Sequence, residues 1–229
     1  MEIFANTVYW GILVSVTSYI VFNYLQKKTK FVLLNPLLFS TVFTILFLIV
    51  FKIDYKTYYD KADFLYYLLS PATVCLAIPL YEQINILKKN VKAIVFGIIS
   101  GVLASMGSVL FFSIIFRFSH TMYVTLLPKS ITAAIAMSIS EEMGGISSLT
   151  VPIVIMTGIT GHIIAGKVCK IFKITEPIAK GVSIGSASHA MGTVKAMEMG
   201  EIEGAMSSLS IAVAGVITVI FAFVFVHVY

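Results

Sequence analysis

The sequence predicts an all-α, polytopic membrane bundle with broken or re-entrant helices and an internal inverted repeat. Three observations carry that reading. The chain is 59% hydrophobic and only 12% charged, with a mean hydropathy of +0.98, a balance that water would not hold as a monomer. Several windows stay apolar for about 20 residues, the length needed to cross a hydrocarbon core of about 30 Å as a helix. Prolines and clustered small polar residues interrupt other apolar windows. The short alternating strands of a transmembrane barrel are not seen.

The elements follow in order. A first span covers about 3 to 25 and leads into Lys27, Lys28 and Lys30, which places the N-terminus outside because short cytoplasmic loops collect lysine. With Glu2 as its only early charge, the segment lacks the positive start of a signal peptide and reads as a retained anchor. A second span covers about 31 to 51 and enters a mixed-charge outer loop, KIDYKTYYDKAD. The third apolar segment, about 64 to 80, is interrupted at Ser70, Pro71, Ala72 and Thr73 and exits toward Lys88, Lys89 and Lys92. The fourth, about 93 to 116, carries Gly97 and Gly101 at a spacing that favours close helix contact.

Residue 120 begins a conflict. If 121 to 142 spans fully, strict alternation puts Lys167, Lys170, Lys173 and Lys180 outside, against the positive-inside rule. If Pro128 splits the segment into two pieces too short to span, the chain dips in and returns, and the lysines fall inside. A last span at about 205 to 227 closes a chain of six or seven spans with one or two broken segments.

The second half echoes the first. YYLLSPATVCLAI (66 to 78) and VTLLPKSITAAIAM (124 to 137) both place proline after Leu-Leu and threonine shortly beyond, and Gly97 with Gly101 is echoed by Gly158 with Gly161. The organisation expected is one integral membrane domain over 1–229, with scaffold helices over about 1 to 60. Repeat-related core halves follow at about 61 to 120 and 121 to 229. Carriers use such repeats, with helices broken at corresponding positions to build a midplane site.

Lys129 is the most suspicious charge, since an ionisable residue at depth is expensive unless it faces protein or a wet cavity. Pro128 is expected to open a half-helix over 129 to 141, whose free amides, with Lys129, Ser130 and Thr132, form an anion site. The plain alternative makes 120 to 130 an outer loop. Pro71 and Thr73 offer a second half-helix terminus, or only a proline kink.

In SIGSASHAMGTVKAMEMGEIEGAMSSLS (183 to 210), a helix over 178 to 199 would put Ser186, His189 and Thr193 on one face with Gly185 and Gly192. His189 could carry a proton, or be a packed histidine bonded to a backbone carbonyl. Glu198, Glu201 and Glu203 read as a solvated helix end. No catalytic constellation, P-loop, dinucleotide fingerprint or metal-ligand spacing is found, so neither an enzyme nor a cofactor is expected. The net charge of +5 is mostly juxtamembrane lysine, which suits anionic lipid and calls for no nucleic acid.

PKSITAAIAMSISEEMGGISSLT and GSASHAMGTVKAMEMGEIEGAMSSLS resemble the signature region of the CidB/LrgB family of bacterial membrane proteins over about 124 to 215. The LNP (34 to 36) and PATVCLA-PLY (71 to 81) elements agree in the first half. The resemblance implies one of two roles. One is an antiholin-like regulator of murein hydrolase export and cell lysis, acting with a small LrgA- or CidA-type membrane partner. The other is transport, as in the plastid relative that moves glycolate and glycerate and a bacterial pair that takes up pyruvate.

Together these readings predict a carrier of small 2-hydroxy or 2-oxo monocarboxylates in the bacterial plasma membrane, assembled as a homo-oligomer, with a dimer favoured. Thr73, Lys129, Ser130, Thr132, Ser186, His189 and Thr193 are the expected substrate residues. Pro71, Pro128, Gly144, Gly145, Gly185 and Gly192 are the expected hinges, and His189 with Glu141 are the candidates for a coupled proton.

Overall fold

A computed structural model describes residues 9–29, 36–68, 71, 75 and 77–229. Thr73 and the interrupted stretch around it lie outside the described residues, apart from Pro71, which is helical and exposed. The chain divides into two compact units, Met1–Cys75 and Leu76–Tyr229.

The first unit holds α1 (Trp10–Thr29), α2 (Pro36–Val50) and α3 (Tyr55–Tyr67). Phe22 of α1 packs on Phe39 and Phe43 of α2, with ring centroids 5.8 and 6.1 Å apart. The stretch expected as an outer loop over 52 to 63 is instead largely α3. Its mixed charges hide a packing face: Tyr58 lies 5.9 Å from Trp10 and its hydroxyl is 2.7 Å from Ser15 Oγ. Asp54 starts the helix by accepting the Lys56 amide at 2.9 Å.

The second unit holds α4 (Ala77–Glu82), α5 (Ile84–Phe116), α6 (His120–Leu126), α7 (Ala133–Glu142), α8 (Ser147–Ile171), α9 (Pro177–Met199) and α10 (Glu201–Phe225). Among the described residues, α5, α8 and α10 are long and apolar enough to cross a membrane. They expose large apolar side chains such as Phe96, Phe111, Val216 and Ile220, as lipid-facing helices do.

Between these three helices lie two hairpins. The first is α6–α7. Pro128 has no amide to give Val124, so α6 stops after Leu127 bonds Tyr123 at 3.0 Å. α6 starts where α5 and α10 end, since Tyr123 donates to the Phe225 carbonyl at 2.9 Å. It then descends until Lys129 reaches Ser105, 3.1 Å away. α7 climbs back: Ile135 lies beside Gly215, while the Ile146 amide after its end donates to Thr125 Oγ1 at 2.8 Å. Gly144, at φ +80, makes the turn into α8 that a side chain would strain. The segment therefore enters and returns on one side.

The second hairpin is α9, and here the structure departs from the expected continuous helix over 178 to 199. His189 has φ 42 and ψ −141, and the chain reverses there. A methyl group on Gly192 would lie 3.0 Å from the Ile184 carbonyl oxygen, whereas in an unbroken helix residues eight apart are about 12 Å apart along the axis. The limb before the break runs parallel to α10, with Gly181 on the Glu203 carbonyl and Gly185 on the Ser207 carbonyl. The limb after it runs antiparallel, with Thr193 Oγ1 2.7 Å from Ser207 Oγ and Gly204 against Met197.

This hairpin enters and returns at the end of the unit opposite to the first. That end carries Lys88, Lys89, Lys92, Lys167, Lys170, Lys173 and Lys180. α5 with α6–α7, and α8 with the α9 hairpin, are thus two helix-plus-hairpin pairs of opposite sense. Glu203, expected to be solvated, is 7% exposed and lies 3.7 Å from Lys180 Nζ. Gly181 draws the first limb onto α10 and closes over it.

Gly166 differs from these contact glycines, because a methyl group there would meet nothing within 4 Å. Gly166→Ala is expected to raise stability by about 0.5–1 kcal/mol through helix propensity alone, measured as a higher thermal midpoint in detergent.

Candidate functional site

The two hairpin tips converge on one face of α5. Gly97, Gly101 and Ser105 recur every fourth residue and so form a stripe on that helix. Val182 and Ser186 of the second hairpin press on Gly97 and Gly101, where an added methyl would lie 3.1 Å from Val182 Cγ1 and 2.7 Å from Ser186 Oγ. One turn further, Ser105 meets the tip of the first hairpin. Lys129 Nζ donates to Ser105 Oγ at 3.1 Å and to Ser130 Oγ at 3.2 Å, and the two hydroxyls are 2.8 Å apart.

A cavity of about 1030 Å³ opens beside this junction, lined by Lys129, Ser130, Ser105, Ser186, Gly101 and neighbours. It extends to Asn90 and Glu176, a run of about 22 Å along α5 at 1.5 Å per residue, and so reaches the lysine-rich end. Ser105 precedes Phe116 by eleven residues, which puts the Lys129 ammonium about 16 Å from the far end of α5, near the middle of the apolar stretch 93 to 116.

The ammonium is half-buried and takes no part in the ion pairs formed among the described residues, Lys180–Glu203 and Lys195–Glu198. A half-buried cation whose described partners are two neutral hydroxyls retains capacity for an anion. The lining combines glycine, alanine, valine and isoleucine with serines, Asn90 and Glu176, the mix of apolar wall and a few polar groups that suits a small polar ligand.

The expected site residues are distributed as follows. Lys129, Ser130 and Ser186 line one cavity. Thr132 is the N-cap of α7 without a side-chain capping bond, so the half-helix begins at Ala133 and not at Lys129. Pro128 ends α6 instead of opening α7. Ser186, His189 and Thr193 do not share a face, because the break at His189 sends them to three helices. Ser186 goes to α5, His189 to the Val154 carbonyl of α8 at 2.9 Å, and Thr193 to Ser207 of α10.

His189 therefore adopts the packed, carbonyl-bonded arrangement. Glu141 is exposed at the end of α7. Gly185 and Gly192 lie in close packing on either side of the break. The contribution of Ser105 was not singled out from the sequence. The signal was its place four residues beyond Gly101, which continues the small-residue stripe.

No solved structure matches the chain. The LrgB-like family model matches residues 15–228, which spans α1 to α10 and therefore both hairpins and the cavity between them. The chain is a membrane protein that belongs to the LrgB-like family.

Proposed function

We propose that the protein is a carrier of small 2-hydroxy or 2-oxo monocarboxylates, working as a multi-pass protein of the bacterial plasma membrane. The observation that carries this reading is the Lys129 ammonium held at a hairpin tip, at mid-depth, on the wall of a cavity open toward one end. A single carboxylate would accept from Lys129 Nζ, with the Ser105 and Ser130 hydroxyls turning to donate to it. The 2-substituent would meet Ser186 across the Gly101 stripe: the Ser186 hydroxyl donates to the Val182 carbonyl at 2.7 Å, so a 2-hydroxyl would donate to its oxygen, and a 2-oxo group would take its proton in place of that carbonyl. Hairpins entering from opposite ends around one seat suit alternating access, since movement of either tip opens the seat to its own side. The lysine-rich end is the cytoplasmic one by the positive-inside rule, which makes this arrangement inward-open.

The test is uptake of labelled pyruvate, glycolate and lactate into proteoliposomes, with and without an imposed pH gradient. Saturable uptake by the purified chain is expected. Absence of uptake both alone and with a small LrgA- or CidA-type partner would move the assignment to a lysis regulator without a transported solute. Ser105→Ala leaves the ammonium but removes one hydroxyl of the seat, so about a two- to tenfold rise in KM is expected, the effect of one modest hydrogen bond.

A further inference from the structure

We propose that His189 is a positioning residue that pins the second hairpin to α8, so that the tip presents Ser186 to the cavity. The backbone at His189, φ 42 with ψ −141, is one that glycine adopts freely and residues with a Cβ rarely do. A histidine at such a position has to supply through its side chain what glycine would have supplied through its backbone. Its ring does so: Nε2 lies 2.9 Å from the Val154 carbonyl oxygen, and because a carbonyl can only accept, Nε2 carries the proton and donates.

The slot for the ring is made by Gly158, where a methyl group would lie 2.5 Å from His189 Cε1 and 2.8 Å from Nε2. The neighbours on both sides dock on the same helix. Ser188 sits on Gly161, with its Cβ 2.3 Å from the methyl position there, and the Met191 carbonyl accepts from His162 Nδ1 at 3.2 Å. The ring faces α8, and His189 is not among the residues that line the cavity between α5, the first hairpin tip and the first limb of α9. His189 therefore acts on the cavity through the hairpin and not by touching solute. The inference deepens the carrier reading in its consequence for uptake, but the pin itself is independent of any solute.

Hydrogen exchange of the protein in lipid nanodiscs reads the pin directly. Peptides covering 184–194 are expected to exchange about fivefold faster or more in His189→Phe, which keeps the ring volume and loses the donor, the scale set by one buried hydrogen bond. Gly158→Ala, which pushes the ring off its carbonyl, is expected to do the same. His189→Gln places an amide donor at a similar reach without a titrating ring, and is expected to restore wild-type exchange and most of the uptake lost in His189→Phe.

Exchange in Gly158→Ala and His189→Phe no faster than in wild type would overturn the pin, and so would a His189→Gln variant as fast as His189→Phe. Should His189→Phe not fold, His189→Leu, which also loses the donor, decides in its place, because the Gly158→Ala methyl also meets Met191 Cβ at 2.9 Å. Wild-type protein that takes up no carboxylate while the exchange pattern holds would remove the carrier reading and leave the pin standing.

Discussion

Lys129→Ala is expected to raise the KM for carboxylate uptake by about 10- to 150-fold, the range for losing a hydrogen bond to a charged partner worth about 1.5–3 kcal/mol. The sign follows from the geometry. The ammonium is the charged group at the bottom of the seat, and the Ser105–Ser130 contact of 2.8 Å can persist without it, so the tip of the first hairpin keeps its dock on α5. The variant should therefore remain folded, with an unchanged elution profile and thermal midpoint.

Removing a half-buried cation also removes a desolvation cost, and no described carboxylate is left behind unpaired. A kinetic comparison of Lys129→Ala with wild type across substrate concentration checks this. An unchanged KM in folded protein would take the anion seat away from Lys129 and from the hairpin tip as a whole. Lys129→Arg keeps the charge but replaces a compact donor by a planar fork, and an intermediate KM is expected from it.

Much of the architecture was legible because its causes are local. Long apolar runs set α5 and α10, and Pro128 marks the first hairpin because it has no amide to give the Val124 carbonyl, although α8 carries Pro152 in its second turn without ending there. The stripe of Gly97 and Gly101 announced a close contact, and the structure supplies the partners, Val182 and Ser186.

The second hairpin was not legible in the same way. GSASHAMG contains no proline, and its residues tolerate a helix, so three- and four-residue spacing pointed to a shared face. What breaks the helix is tertiary: two glycines zip the first limb to α10, α8 offers a carbonyl and a glycine slot to His189, and the second limb finds Ser207. The same tertiary cause buries Glu203. A helical wheel carries no information about a partner backbone, and so the wheel placed Ser186, His189 and Thr193 together while packing placed them on three helices. In α3 the charges drew attention away from Tyr58, whose contact with Trp10 is what a surface helix of mixed charge needs in order to dock.

Gly185→Ala is expected to be strongly destabilising, costing about 3 kcal/mol or more, at the upper end of overpacking effects. The added carbon would lie 2.4 Å from the Ser207 carbonyl oxygen and 2.8 Å from Ser207 Cα. These are backbone atoms of α10, which cannot swing aside as a side chain could. Relief requires the first limb of α9 to move off α10, and Ser207 is also the residue whose hydroxyl holds Thr193 of the second limb at 2.7 Å. Both limbs are thus loosened by one substitution, and Ser186 is drawn off Gly101 with them.

The expected readout is a fall in thermal midpoint in detergent, together with faster labelling of a cysteine at the exposed cavity position Ala187. Gly107→Ala, where the methyl meets nothing within 4 Å, is the matched control and should leave the midpoint unchanged or slightly higher. Equal stability of Gly185→Ala and wild type would mean that the first limb does not lie parallel against α10.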